Sequence, residues 1–205
     1  MTAQPVSERS SGAIIHPGWV RVCHWINAIA ILVMIGSGWQ IYDASPLFDF
    51  TFPRAISLGN WLAGARHWHF AAMWVLMVNG LVYVTLGIIT GRFRRKLLPI
   101  TPGAVIADTK AALTFKLAHD DLAHYNAVQK LLYGGIIITG IVIVLSGLSM
   151  WKPVQFQQLN ALFGGYDFAR YVHFFAMATI VGFLVVHVAL SLIVPQSLRA
   201  MVTGR

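Results

Sequence analysis

The sequence contains few charged residues and a single cysteine, and both shortages limit what the chain can be. Charged side chains make up only 11% of the 205 residues, which is about half of the fraction found in a typical soluble domain. The lone cysteine, Cys23, rules out an intrachain disulfide, so cysteine usage does not indicate an oxidising or a reducing compartment. One thiolate is also too few for an iron–sulfur cluster of the usual four-cysteine kind. The composition therefore argues against a soluble enzyme and against a cluster protein.

Hydrophobic residues are abundant instead, and they fall in four long blocks. They make up 57% of the sequence, and the mean hydropathy is +0.67. The blocks cover about residues 24–42, 68–90, 130–150 and 171–195. As a helix, each is long enough to cross a hydrocarbon core of about 30 Å, and blocks of this length do not suit the short alternating strands of a barrel. The sequence predicts an all-α integral membrane protein, a four-helix bundle forming one domain over residues 1–205.

The positions of the basic residues predict how the chain is oriented. A net charge of +8 would suggest nucleic acid in a soluble protein, but here its location gives a simpler explanation. Four spans put both termini on one side, and that side, with the loop of residues 91–129, holds 11 Lys and Arg residues against 4 on the other. The positive-inside rule places the termini and this loop in the cytoplasm. We expect a bacterial inner-membrane protein without a cleavable signal peptide and with no nucleic acid partner.

Four of the eight histidines lie in or at the edge of the apolar blocks, where an unpaired imidazole is costly. His173 and His187 are fourteen residues apart, so they share one helical face at a separation of about 21 Å. His24 begins the first block at the depth of His187, and His69 begins the second at the depth of His173. Two facing imidazoles are the ligand set of a six-coordinate haem iron. This pairing by depth predicts two haems in the bundle.

Alternatives to haem ligation exist for each histidine taken alone. A single imidazole could bond a neighbouring helix or lie at the interface, and this remains the simpler interpretation for His16, His67, His119 and His124. Gly38 lies on the face of His24 and Gly87 on the face of His69, each one haem level away. A porphyrin needs such small residues where it passes a helix, but they also permit close helix packing. Because no C-x-x-C-H motif is present, the haems should be of type b.

Several motifs of the chain form a recognisable set. They are "RVCHW" around His24, "HWHFAAMW" around His69, "YNAVQKLLY" from Tyr125, and the His173/His187 pair. With them the sequence resembles, over nearly its whole length, the four-helix di-haem cytochrome b subunits of bacterial respiratory enzymes. That family includes the membrane anchors of nickel–iron hydrogenases, formate dehydrogenase and thiosulfate reductase. The resemblance implies that the first and fourth helices hold the cytoplasmic-side haem and the second and fourth the outer haem.

The resemblance also implies a quinone site near the cytoplasmic-side haem. Asn126, Gln129 and Lys130 match the family motif at the start of the third span, where polar groups could bond a quinone carbonyl. They could equally be ordinary helix-start and snorkelling residues. Arg21 and Arg170 lie beside the two haem levels and are candidate partners of haem propionates, although positive-inside anchoring also explains Arg21.

The expected function is electron transfer across the membrane between quinone or quinol and a periplasmic oxidoreductase subunit. The chain offers no site for a molybdenum cofactor, nickel or an iron–sulfur cluster, so substrate chemistry would occur on a partner, such as a molybdopterin or nickel–iron enzyme. One alternative is a stand-alone di-haem quinone-linked oxidase that reacts with a diffusible oxidant such as superoxide. Another is a haem-free transporter or anchor.

Overall fold

Helices and one 3₁₀ turn make up the regular secondary structure in the part of the chain that the structure describes. In the computed structural model this part comprises residues 14–113 and 125–204, and it contains α-helices and one 3₁₀ turn but no strand. The helices are α1 (Gly18–Asp43), α2 (Leu62–Ile89), α3 (Arg92–Leu97), α4 (Pro102–Leu113), α5 (Ala127–Trp151), α6 (Gln157–Leu162), α7 (Tyr166–Ile193) and α8 (Pro195–Thr203). Four of them, α1, α2, α5 and α7, are long and apolar enough to cross a membrane. The predicted all-α fold with four spans is confirmed.

The long helices begin three to six residues before the predicted blocks and end within two residues of the predicted ends. An apolar window misses the start of each helix because a polar residue lies within its first five positions, namely Arg21, Arg66, Gln129 and Asp167. A helix tolerates such residues at a membrane surface. The fourth block differs most at its end. We expected it to reach Pro195, but α7 ends at Ile193 and Pro195 begins α8. Proline disfavours helical backbone in the residue before it and is well suited to a first helical turn.

The four long helices form two hairpins. α1 packs on α2 and α5 packs on α7, whereas the two hairpins approach each other far less closely. Large apolar side chains such as Leu32, Leu81 and Val185 point outward along the helices, as expected of surfaces that meet lipid. Within the first hairpin, the Asn79 side chain donates hydrogen bonds to the Cys23 carbonyl at 2.8 Å and to the Asn27 side chain at 2.7 Å. These bonds join α1 to α2 and satisfy an amide that would be costly in lipid.

Both ends of the described chain meet on one side of the bundle, which we call the terminal side. The Ile15 amide donates to the Gly204 carbonyl at 2.9 Å. α3 and α4 lie in the connection between α2 and α5. The Asp108 carboxylate of α4 accepts a hydrogen bond from the Ala127 amide at 2.6 Å and so fixes the start of α5. The opposite side, which we call the loop side, holds the α1–α2 loop and α6.

Candidate functional site

The four membrane histidines form two pairs, and each pair joins one hairpin to the other. The ring centroids of His24 on α1 and His187 on α7 are 6.0 Å apart, with ring planes at 62°. Those of His69 on α2 and His173 on α7 are 6.4 Å apart, with ring planes at 59°. The first pair lies toward the terminal side and the second toward the loop side. These are the partners that the depth argument pairs, and their role as ligands stays a prediction.

The separations within the pairs fit a metal ion bound between two imidazoles. If each ring bonds one metal through a nitrogen about 2.1 Å away, the two centroids lie roughly 6.4 Å apart. Within residues 14–113 and 125–204, no three His, Cys, Asp or Glu side chains come together to hold a metal ion on their own. Two axial histidines with the ring nitrogens of a porphyrin are a complete set for haem iron. The donor set therefore fits haem better than a metal held by protein alone.

Each histidine of the loop-side pair is anchored by a buried serine on the neighbouring helix. The hydroxyl oxygen of Ser37 lies 3.0 Å from His69 Nδ1, and that of Ser146 lies 3.1 Å from His173 Nδ1. Both serines are fully buried, at 0% exposure. The hydrogen bonds occupy Nδ1 of each ring and leave Nε2 available as a ligand.

A glycine follows each of these serines and gives the histidine ring room. A Cβ atom added to Gly38 would lie 3.5 Å from His69 Cε1, and one added to Gly147 would lie 3.2 Å from His173 Cε1. Gly38 was expected on a haem face at this depth, where the structure places it against the His69 ring. Gly87 behaves differently, because the Phe93 ring occupies the space that its Cβ would take. Close packing of α3 on α2 therefore accounts for Gly87.

The terminal-side pair has an aromatic environment. The Phe183 ring stacks on His187 at 5.5 Å with planes 10° apart, and Trp25 meets His24 edge-on at 5.3 Å. Unlike the loop-side rings, neither His24 nor His187 has a side-chain hydrogen-bond partner for its ring nitrogens among the described residues. The two pairs thus differ in how firmly their rings are oriented.

The two candidate propionate arginines bind backbone carbonyls. On the terminal side, Arg21 Nη1 donates to the Val202 carbonyl at 2.7 Å, while its buried Nε has no partner in the described part of the chain. On the loop side, the Arg170 guanidinium donates to the Ser45 carbonyl and lies 3.3 Å from the Ser45 hydroxyl. Both arginines therefore tie chain segments together near the expected haem levels. A propionate role for either one stays a prediction.

The three candidate quinone residues begin α5. Asn126 and Gln129 form a reciprocal capping box: the Asn126 side chain accepts from the Gln129 amide at 2.8 Å, and the Gln129 side chain accepts from the Asn126 amide at 3.1 Å. Lys130 Nζ donates to the Pro99 carbonyl at 3.3 Å. The side-chain oxygens of Asn126 and Gln129 therefore cap the start of α5, as one of the two interpretations predicts. The box does not use the NH₂ groups, which are the donors that a quinone carbonyl would need.

Of the other histidines, His16 lies in a basic cluster near the terminal-side pair. Arg92 Nη2 lies 3.3 Å from His16 Nδ1. Burial first, then the charges of Arg92 and Lys96, lower the pKa of His16 to about 4, so the neutral ring accepts the hydrogen bond from Arg92. His67 is exposed, as expected for an interfacial residue. His119 and His124 lie outside the described residues.

Sequence reasoning missed Ser37 and Ser146. Each precedes a glycine in an apolar helix, in the stretches "IGSGWQ" and "VLSGLS", and a Ser-Gly pair inside a membrane helix was a usable signal. The equivalence of the two serine–histidine contacts was also not predictable, because no internal repeat is visible in the sequence. In the structure, His69 and His173 are each the eighth residue of a 28-residue helix, and each is bonded by a serine of the preceding long helix.

This fold with two facing histidine pairs is the arrangement expected of a membrane cytochrome of type b. Residues 15–204 match the protein family described as prokaryotic cytochrome b561, and the chain belongs to that family. It is 52% identical over 190 residues to YedZ1 of Azospira oryzae, which is described as a candidate protein-methionine-sulfoxide reductase subunit. The match covers 93% of this chain and 96% of that protein. Family membership makes the chain a multi-pass membrane cytochrome and removes the haem-free transporter or anchor from consideration.

Proposed function

We propose that the chain binds two haem b groups and passes electrons across the membrane between quinone and an oxidoreductase subunit on the other side. The observation that carries this proposal is the placement of two facing histidine pairs at two depths between the hairpins. Bound haem supplies one-electron transfer at each pair. The protein's part is to hold each ring in place and to surround it with apolar helices.

The vertical spacing of the pairs suits transfer across the bilayer. His173 and His187 share α7 and are fourteen residues apart, which corresponds to about 21 Å along the helix axis. This is most of a hydrocarbon core of about 30 Å. The terminal-side pair therefore serves one membrane surface and the loop-side pair the other.

The relative's description suggests the partner and the direction of electron flow. We extend to this chain the role of a subunit of a protein-methionine-sulfoxide reductase. Reducing one methionine sulfoxide consumes two electrons and two protons, restores the thioether and releases one water. Oxidation of one quinol releases two electrons and two protons. Electrons would then pass from quinol to the terminal-side pair, on to the loop-side pair, and into a partner that carries the substrate site.

A quinone site beside the start of α5 is consistent with the contacts between this region and His187. Ring contacts lead from Tyr125 to Tyr133 at 5.0 Å, from Tyr133 to Phe183 at 6.4 Å, and from Phe183 to His187 at 5.5 Å. The amide groups of Asn126 and Gln129 thus lie at one end of a short aromatic connection to the terminal-side pair. We propose that they and Lys130 contact the quinone carbonyls at this membrane edge.

The proposed function is tested by electron delivery to the partner. Membranes and periplasmic extract from source cells should reduce a methionine-sulfoxide peptide when supplied with a quinol, and deletion of this chain should abolish that reduction. A reduced viologen dye that feeds the extract directly should restore it, since the partner is still present. Quinol-driven reduction that persists without the chain would refute the assignment. Superoxide oxidation by the purified chain alone would instead favour the stand-alone oxidase.

A further inference from the structure

We infer that Ser37 and Ser146 are positioning residues that hold His69 and His173 in one tautomer and lower the reduction potential of the loop-side haem. This inference rests on the proposed haem ligation and adds to it. The two serines occupy equivalent places, since each lies on one helix of a hairpin and bonds the histidine of the other helix. The same serine–histidine contact thus occurs twice, once in each hairpin.

The direction of each hydrogen bond follows from the second contact of the hydroxyl. Ser37 Oγ lies 2.6 Å from the Val33 carbonyl, and Ser146 Oγ lies 3.1 Å from the Ile143 carbonyl. A serine has one hydroxyl proton, and each hydroxyl donates it to the carbonyl of its own helix. The hydroxyl oxygen is then an acceptor toward the imidazole. The backbone carbonyls of Met34 and Ile143 also accept a hydrogen bond from the His69 and His173 rings. With acceptors on the neighbouring helix, each histidine carries its proton on Nδ1, which leaves the Nε2 lone pair free to bind iron.

This arrangement changes the electronic character of the ligand as well as its orientation. An imidazole that donates from Nδ1 is a more basic ligand at Nε2. A more basic ligand stabilises the ferric state over the ferrous state, and hydrogen bonding around the ligands is one of the means by which a protein sets haem potential. The His24 and His187 rings have no such partner among the described residues. The serines therefore act on one haem only.

The test is a redox titration of the purified holoprotein in detergent, followed by the visible spectrum and by EPR. Ser37→Ala and Ser146→Ala should each raise the midpoint potential of one haem component and alter its low-spin EPR signal, and the double variant should shift it further. The other component should not move. Ser149→Ala is the matched control, because Ser149 is also fully buried on α5 but accepts from Asn160 Nδ2 at 3.3 Å. Its potentials should equal those of the wild type.

If an alanine variant loses its haem, the threonine variant of the same serine separates the effect of the hydroxyl from that of side-chain packing. Ser37→Thr and Ser146→Thr keep the hydroxyl, so they should retain the affected haem at the wild-type potential. Threonine variants that behave like the alanine variants would show that side-chain packing matters rather than the hydroxyl, and would overturn the inference. Unchanged potentials and EPR signals in both alanine variants at full haem content would also overturn it. A wild-type protein with fewer than two haems would instead refute the proposed function.

Discussion

At the residue scale, each of the four membrane histidines has a partner across the gap between the hairpins. His24 meets His187, and His69 meets His173, at separations near those of two imidazoles on one iron. α7 contributes to both pairs and therefore links the two levels of the site. Loss of His187 should affect the terminal-side pair and loss of His173 the loop-side pair, because the two histidines face different helices.

Alanine variants of the four histidines should divide into two classes. His69→Ala and His173→Ala should remove one haem component, and His24→Ala and His187→Ala the other, each falling from two haems per chain to about one because an axial ligand is lost. Pyridine haemochrome assays and low-temperature spectra of the purified variants measure this. His67→Ala is the control, since His67 is exposed two residues from His69 and should keep both haems. If His24→Ala and His69→Ala removed the same component, the pairing would be wrong.

At the element scale, the start of α5 combines a structural and a proposed functional role. The capping box of Asn126 and Gln129 uses their side-chain oxygens and backbone amides, and removal of an N-cap side chain typically costs about 1 kcal/mol. Alanine at these positions would therefore disturb the helix and any quinone site together. Substitutions that keep the oxygens but remove the NH₂ groups separate the two roles.

Asn126→Ser combined with Gln129→Glu should preserve the capping box while removing both amide donors. If these donors bind the quinone carbonyl, the double variant should reduce its haems more slowly with a quinol analogue, by roughly tenfold for a loss of about 1.4 kcal/mol in hydrogen bonding. Stopped-flow haem reduction measures the rate, and dithionite reduction, which bypasses the site, serves as the control. Wild-type quinol kinetics at full haem content would move the quinone site elsewhere.

At the scale of the whole molecule, the two hairpins have the same orientation in the bundle. α1 and α5 run from the terminal side to the loop side, and α2 and α7 run back. The excess of basic residues on the terminal side predicts, by the positive-inside rule, that this side faces the cytoplasm. In that orientation the loop-side pair would face the periplasm, and under the proposed function it would pass electrons to the partner subunit there.

Single-cysteine labelling tests this orientation. In a Cys23→Ala background, Gln157→Cys on α6 should react with a membrane-impermeant maleimide in spheroplasts, because Gln157 is exposed on the loop side. Gln196→Cys on α8 is equally exposed on the terminal side and should react only after the membrane is permeabilised. The reverse pattern would place the termini outside and would require the quinone and partner sites to exchange sides.

The sequence by itself determined the helices and the depth of each histidine. Apolar block length predicts a span, and position along a helix converts to depth at a fixed rise, so the pairing of His24 with His187 and His69 with His173 could be inferred without knowing how the helices pack. Helix starts were less accurate, because the first turns of α1, α2 and α7 carry polar or small residues that apolar windows exclude.

Only the tertiary structure decided which faces of the helices meet. The contact of Ser37 with His69 spans 32 residues, and that of Ser146 with His173 spans 27. Each depends on the rotation and crossing of two helices, which no local pattern fixes. The same holds for Gly38 against His69 and for Phe93 against Gly87, where one glycine makes room for a histidine ring and the other for a packed phenylalanine. Depth is a local property of the chain, whereas rotation about the helix axis is set by the packing of the neighbouring helix.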